Sequence, residues 1–394
     1  MVFNVKKRIV FCLQTMTLGG VEKELTTVLK RIHHQYDITL LLLYLEDAEM
    51  LNDIPCDVKI RIIGVDKGYY CGTTAEMIRR RLKKGEFLQA ADLSVRRCLK
   101  LGMSHSNVSL TNVRSLDESF DLAICYHIHS PLMMKYVVEK IHARKKIGWI
   151  HNDFYGSDYP IQRLKKYVTL YNEFVAVSKK VEKEFRELCP WYSGEISTAY
   201  NYLDVEEILG LAQESIVEDV FLQESGVKLL TVGRFTEQKG IDLAIQAAAM
   251  LKKEKRKFHW FVIGYGKLES TYRRLIADYG VADCFTILGR KTNPYPYIKN
   301  CDIYVQPSRH EAFGLVVLEA KILHKPIVCT DFDGADEQIN NGVNGIIVPT
   351  NDVNVLAEEL SKLIGSSQLR SDLSQALEKW HPEDDLREIV KHFV

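Results

Sequence analysis

The pattern of this chain starts twice. Residues 8–14 (RIVFCLQ) are a continuous apolar run, followed by the glycine pair Gly19-Gly20 and a helical stretch from Val21. Residues 227–233 (VKLLTVG) repeat that order, with RFTEQKG and a second helical stretch behind them. Apolar runs without polar alternation are the pattern of parallel strands covered on both faces. Successive strand–loop–helix units therefore predict an α/β protein of two Rossmann-like, doubly wound domains facing a central cleft. A chain of 394 residues has room for both cores. The boundaries fall at 1–202 for the first domain, 203–226 for a polar, acidic linker, and 227–380 for the second domain. Residues 381–394 form a last helix expected to pack back toward the first domain.

Further strands are expected at 38–44, 59–64, 122–126, 146–150, 174–178 and 196–201 in the first half. In the second half they are expected at 258–264, 284–290, 302–308 and 325–330, with a short strand in GVNGIIVP. Ligands of such sheets collect at the carboxyl ends of the strands, so the residues just past each strand matter most.

Residues 304–320 (YVQPSRHEAFGLVVLEA) read as a buried strand, a polar loop and an apolar helix start. The handover leaves free backbone N–H groups with the positive end of the helix dipole behind them, where phosphate binds well. Gly314 lets backbone approach a ligand without a Cβ in the way. Glu311 lies in the loop and Glu319 in the second helical turn. They are either solvated surface charges or acceptors for sugar hydroxyls. Arg234 follows the strand 227–233 directly, and Lys239-Gly240 opens the next helix. Cations at a helix N-terminus oppose the dipole, so this pair reads better as a diphosphate clamp than as surface charge. Gly19-Gly20 is either a plain tight turn or a second anion-friendly site. Two strands end in histidines: His127 and His129, then His151 with Asp153. No spacing makes these four a metal set. Gly264-x-Gly266 lacks the third glycine of a dinucleotide fingerprint, with Glu269 in its place.

The strings G-R-F-x-x-x-K-G from Gly233 and E-A-F-G-L-x-x-L-E-A from Glu311 resemble those of the retaining glycosyltransferases of family 4, which have the GT-B fold. The resemblance is specific over 227–350 and looser before residue 200. It implies transfer of a hexose or N-acetylhexosamine from a nucleotide diphospho-sugar, of uridine type, to a hydroxyl acceptor with retention, in bacterial cell-surface glycan synthesis. It implies Arg234 and Lys239 on the donor diphosphate, Glu311 on the transferred sugar, Glu319 on the ribose, and His151 near the transferred sugar and acceptor. Gly19, Gly20, Asn201, Gly289, Arg290, Phe313, Gly314 and Leu315 are implied around the donor. No metal and no cofactor is implied. Asp331-x-Asp333 resembles a metal-binding D-x-D, but it stands where the family has a glycine pair, of which only Gly334 remains, followed by Glu337. An epimerase of the same fold, a phosphorylase, or a non-catalytic nucleotide-sugar-binding module are the alternatives. A phosphorylase would need a pyridoxal lysine.

Nine cysteines are scattered without paired spacing, which reads as free thiols in a reducing compartment. The N-terminal apolar run is too short for a signal peptide, and no stretch approaches a membrane span. A cytoplasmic protein, soluble or peripheral at the inner face of the membrane, is expected. Residues 1–197 carry a net +7 and the remainder −7. Residues 74–102, with RRRLKK and RRCLK, read as a basic amphipathic helix: a core helix with a solvated face, or a contact with anionic membrane. The expected partners are a nucleotide-sugar donor and a lipid-linked or glycan acceptor, with no nucleic acid.

Overall fold

The computed structural model describes residues 6–64 and 113–393, less 18, 46–48, 158, 160, 218 and 381–384, together with 79, 82, 83, 87 and 110. The basic stretch 74–102 falls almost wholly outside the described residues.

Two parallel sheets organise the chain. The first has seven strands: β1 (Arg8–Leu13), β2 (Asp37–Leu42), β3 (Lys59–Ile62), β4 (Ser119–Cys125), β5 (His142–Ile150), β6 (Glu173–Ala176) and β7 (Glu195–Thr198). Their order is β3-β2-β1-β4-β5-β6-β7. The second has six: β8 (Val227–Val232), β9 (Phe258–Ile263), β10 (Phe285–Gly289), β11 (Ile303–Gln306), β12 (Ile327–Thr330) and β13 (Ile346–Val348), in the order β10-β9-β8-β11-β12-β13. In each sheet the first strand pairs on both sides, β1 with β2 and β4, and β8 with β9 and β11. The chain turns outward in opposite directions from that strand. The loops beyond it diverge and leave a crevice at the carboxyl ends.

The apolar runs explain the strands. Ile9 to Leu13 and Leu40 to Leu42 are all buried, as a doubly covered parallel sheet requires. Helix α1 (Gly20–Ile32) covers the first sheet with Leu25, Val28, Leu29 and Ile32, spaced for one helical face. The helix Ile241–Lys253 does the same for the second sheet with Ile241, Ala244, Ile245 and Ala248.

Residues 203–226 are more structured than a polar linker. The helix Val205–Leu211 buries Ile208, and Asn293 Nδ2 donates to its Leu211 carbonyl at 2.9 Å. Phe221 is fully buried, with its ring 4.7 Å from that of Phe261. The last helix, Asp385–Lys391, delivers Phe393 to the first sheet. Its ring lies edge-on to Phe11 at 5.6 Å, and its carbonyl accepts from Lys7 Nζ at 3.0 Å. His392 pairs with Glu173, which also takes Lys145 at 2.7 Å.

Candidate active site

The two crevices face each other across one cleft of about 420 Å³. One wall is built by the loops after β8 and β11. Gln306 at the end of β11 and Ser308 just past it are buried polar side chains with one target. Ser308 Oγ donates to Glu311 Oε1 at 2.9 Å, Gln306 Nε2 lies 3.4 Å from the same oxygen, and Lys239 Nζ pairs with it as well. All these bonds fall on Oε1, which leaves Oε2 for a ligand. Gly314 follows at φ 82° as the N-cap of the helix Leu315–Ile322. A Cβ there would meet the Phe332 ring at 2.9 Å, besides straining the backbone. The helix has no side-chain cap, so its first N–H groups stay open to the cleft.

The two loops are fastened together. Arg309 forks onto Asp242 at 2.9 and 2.6 Å, its backbone N–H donates to the Gln238 carbonyl, and Gln238 Nε2 donates to the His310 carbonyl. This fixes Lys239 beside Glu311. Arg234 stands exposed in the cleft, and its guanidinium makes no hydrogen bond or ion pair among the described residues.

The opposite wall carries Gly19, Gly20, Lys23, His151 and Asn201. Gly19-Gly20 is not a tight turn. Gly19 is extended (φ −140°, ψ 168°) as the N-cap of α1. A Cβ on Gly20 would lie 2.9 Å from Leu315 Cδ1, across the cleft, so a larger residue there would push that side chain aside. Lys23, in the first turn of α1, donates to Glu319 Oε1 at 2.7 Å and to the Tyr295 hydroxyl.

His127, His129 and His151 cluster behind this wall, with ring centroids 5.8 Å apart (His127 to His129) and 6.3 Å apart (His127 to His151). Burial holds all three neutral. It pushes His127 down to about 4, helped by the nearby Arg234 charge, and His129 and His151 well below the usual value. Among the described residues no group of His, Cys, Asp and Glu is arranged to hold a metal. Asp331 and Asp333 go separate ways. Asp331 Oδ1 accepts from the Thr350 N–H at 2.6 Å, while Asp333 reaches Lys180 of the first domain at 2.5 Å. Glu337 also crosses between domains, accepting from the N–H groups of Lys179 and Lys180 at 2.9 and 3.1 Å.

Of the residues singled out from sequence, the cleft brings together Gly19, Gly20, His151, Asn201, Arg234, Lys239, Arg290, Glu311, Phe313, Gly314, Leu315 and Glu319. Gly289 stays one residue behind, with its carbonyl bonded to the Gly264 N–H at 3.0 Å. The Arg290 guanidinium lies 5.2 Å over Tyr265, another cleft residue. Sequence reasoning missed Tyr265, His310 and Lys23. For Lys23 there was a signal: it is a cation close to the N-terminal end of a helix, against the dipole, as Lys239 is just before the helix Ile241–Lys253.

Two doubly wound parallel sheets with their carboxyl ends on a common cleft define the GT-B fold. The structure of HepE from Anabaena in complex with UDP-glucose superposes on this chain with a TM-score of 0.70 at 16% identity, covering 98% of this chain and 99% of that one. Residues 212–380 match the family described as Glycosyl transferases group 1. The amylovoran biosynthesis glycosyltransferase AmsK of Erwinia amylovora is 33% identical over 145 residues, which is 35% of this chain and 36% of that protein. A Campylobacter jejuni protein named N-acetylgalactosamine-N,N'-diacetylbacillosaminyl-diphospho-undecaprenol 4-alpha-N-acetylgalactosaminyltransferase is 28% identical over 172 residues, 43% of this chain and 45% of that protein. The matched regions thus span under half the length of these two relatives.

Proposed function

We propose that this chain is a retaining glycosyltransferase. It moves a hexose or N-acetylhexosamine from a UDP-sugar to a hydroxyl of a lipid-linked or glycan acceptor, in the synthesis of a cell-surface polysaccharide. One observation carries the reading. The ends of β8 and β11 set Arg234, Lys239, Glu311 and the open N-terminus at Gly314-Leu315 on one wall of the cleft, facing His151 and Gly19-Gly20. The UDP-glucose held by HepE and the diphospho-undecaprenol in the Campylobacter name support the donor and acceptor classes.

In this reading the bond from C1 to the diphosphate oxygen breaks as the acceptor oxygen bonds C1 on the same face. The acceptor proton passes to the departing phosphate. Arg234, Lys239 and the helix N–H groups stabilise the charge that develops on the nucleotide diphosphate, in a site that holds them in place beforehand. Two cations and a helix N-terminus meet that need without a metal ion. Glu311 Oε2 accepts from hydroxyls of the transferred sugar, and Glu319 from the ribose. Neither acts as nucleophile, and orientation is the main catalytic work. No helix among the described residues is long and apolar enough to cross a membrane. The enzyme meets a lipid-linked acceptor peripherally, at the inner face of the membrane, through its basic N-terminal half.

The test is transfer of labelled sugar from a panel of UDP-sugars to polyprenyl-diphosphate-linked acceptors, with the product anomer read by NMR. An α-linked product from an α-linked donor is expected, with Lys239→Ala and Glu311→Ala both greatly slowed. Wild-type rates in both variants would overturn the assigned site, and inversion would overturn the mechanism.

A further inference from the structure

Glu24 has no place in the donor clamp, and it is wholly buried on α1 (0% exposed). The Tyr126 hydroxyl donates to its Oε2 at 2.7 Å, while Oε1 has no hydrogen-bond partner. His151 Nδ1 lies 3.8 Å from that same Oε2, and the His151 and Tyr126 rings are 4.8 Å apart. His151 Nε2 is likewise buried and unpartnered, in a residue that lines the cleft. Each buried polar atom left so forfeits the hydrogen bond it had with water, a cost to folding. An apolar residue at position 24 would avoid that cost, so the arrangement points to a ligand.

The surroundings decide where the protons sit. Tyr126 faces Glu24 from the end of β4, His151 from the end of β5 with His127 beside it, and the Tyr202 backbone N–H from beyond β7. No charged group lies among them, because burial keeps both histidines neutral. Burial also pushes Glu24 up to about 8, so it is a neutral acid at pH 7. The Tyr126 backbone carbonyl accepts from the His151 ring, Nδ1 is the nitrogen turned toward Glu24 Oε2, 3.8 Å away and too far for a hydrogen bond, and Nε2 has no hydrogen-bond partner. Nδ1 therefore carries the ring proton, and the Nε2 lone pair is left for the cleft.

We propose that Glu24 is a positioning residue: with Tyr126 it holds His151 as the Nδ1–H tautomer, so that Nε2 accepts a hydrogen bond from a hydroxyl of the sugar in the cleft. The sugar rests on the transferase reading above; the tautomer does not. Two-bond proton–nitrogen correlation spectra of ¹⁵N-histidine-labelled protein test it, with the His151 signals assigned by their loss in His151→Asn. Wild type is expected as Nδ1–H. Glu24→Leu is expected to shift the ring toward Nε2–H and to slow sugar transfer by about ten- to 100-fold, with UDP affinity unchanged. Glu24→Gln keeps a carbonyl oxygen in place and is expected to retain the tautomer and most of the rate. An Nε2–H ring in the wild type would overturn the proposal even if Glu24→Leu failed to fold. An unchanged tautomer and rate in Glu24→Leu would also overturn it. A wild type with the expected tautomer but no transfer to any acceptor would sink the transferase reading and leave the tautomer assignment standing.

Discussion

Lys23 of the first domain and Glu319 of the second meet across the cleft at 2.7 Å. Glu319 is buried, while Lys23 remains about one-third exposed. The carboxylate assigned to the ribose is therefore already neutralised by a residue that belongs to the facing wall. Removing Lys23 alone leaves a buried carboxylate without its cation, a larger penalty than the pair itself is worth. Lys23→Met is expected to cost about 1–2 kcal/mol, at the low end because the lysine is partly exposed. Glu319→Gln added to it should recover most of that loss in a double-mutant cycle. Urea unfolding measures this, and additive effects would mean the contact carries no coupling.

Lys239 is held against Glu311 Oε1, so its loss both removes a cation and frees the carboxylate to shift. Lys239→Ala is expected to lower kcat by about 10²–10³-fold, the range for deleting one preorganised donor at a developing charge. Glu311→Gln keeps the hydrogen-bonding frame from Ser308 and should lose less than Glu311→Ala. Steady-state kinetics at saturating donor measure both.

Glu24 makes stability depend on pH in a direction that can be worked out. Its folded value of about 8 lies above its ordinary 4.5. Its contribution is thus fully present below about pH 4.5 and is lost as pH rises toward 8, with a slope of up to about 1.4 kcal/mol per pH unit. The neutral histidines act oppositely. His127 loses stability as pH falls from 6.5 toward 4. Subtracting the Glu24→Gln curve from the wild-type curve cancels them. The difference is expected to decline from pH 5 to 8, and a flat difference would place Glu24 in a wetter site.

Phe393 closes the floor of the first sheet from the far end of the chain, fully buried against Phe11 and Trp149. Phe393→Ala is expected to destabilise by about 3–5 kcal/mol, as for other buried aromatic truncations. Differential scanning calorimetry should show the loss as a lowered Tm, and a shift within error would mean the terminal helix is not docked in solution.

The central strands, such as β1 and β9, were legible because each is an apolar run between punctuating loops, the pattern of a strand covered on both faces. The same logic put Arg234 after β8 and Glu311 after β11, since residues just past strand ends have nowhere else to go. What lay hidden was contact between elements distant in the chain. Glu24 reads as one more charge on an amphipathic helix until Tyr126 and His151 are seen around it. Gly20 faces Leu315, almost 300 residues away, and no local turn announces that contact. Residues 203–226 looked like a linker by composition, yet Ile208 and Phe221 are buried by partners that composition cannot name.

The most direct test is calorimetric titration of UDP, with EDTA throughout, into the wild type, Arg234→Ala and Lys239→Ala. The expected result is metal-independent binding by the wild type, weakened about tenfold or more in each variant. Binding that required a divalent cation, or that was unaffected by loss of both cations, would contradict the diphosphate clamp on which the proposed function stands.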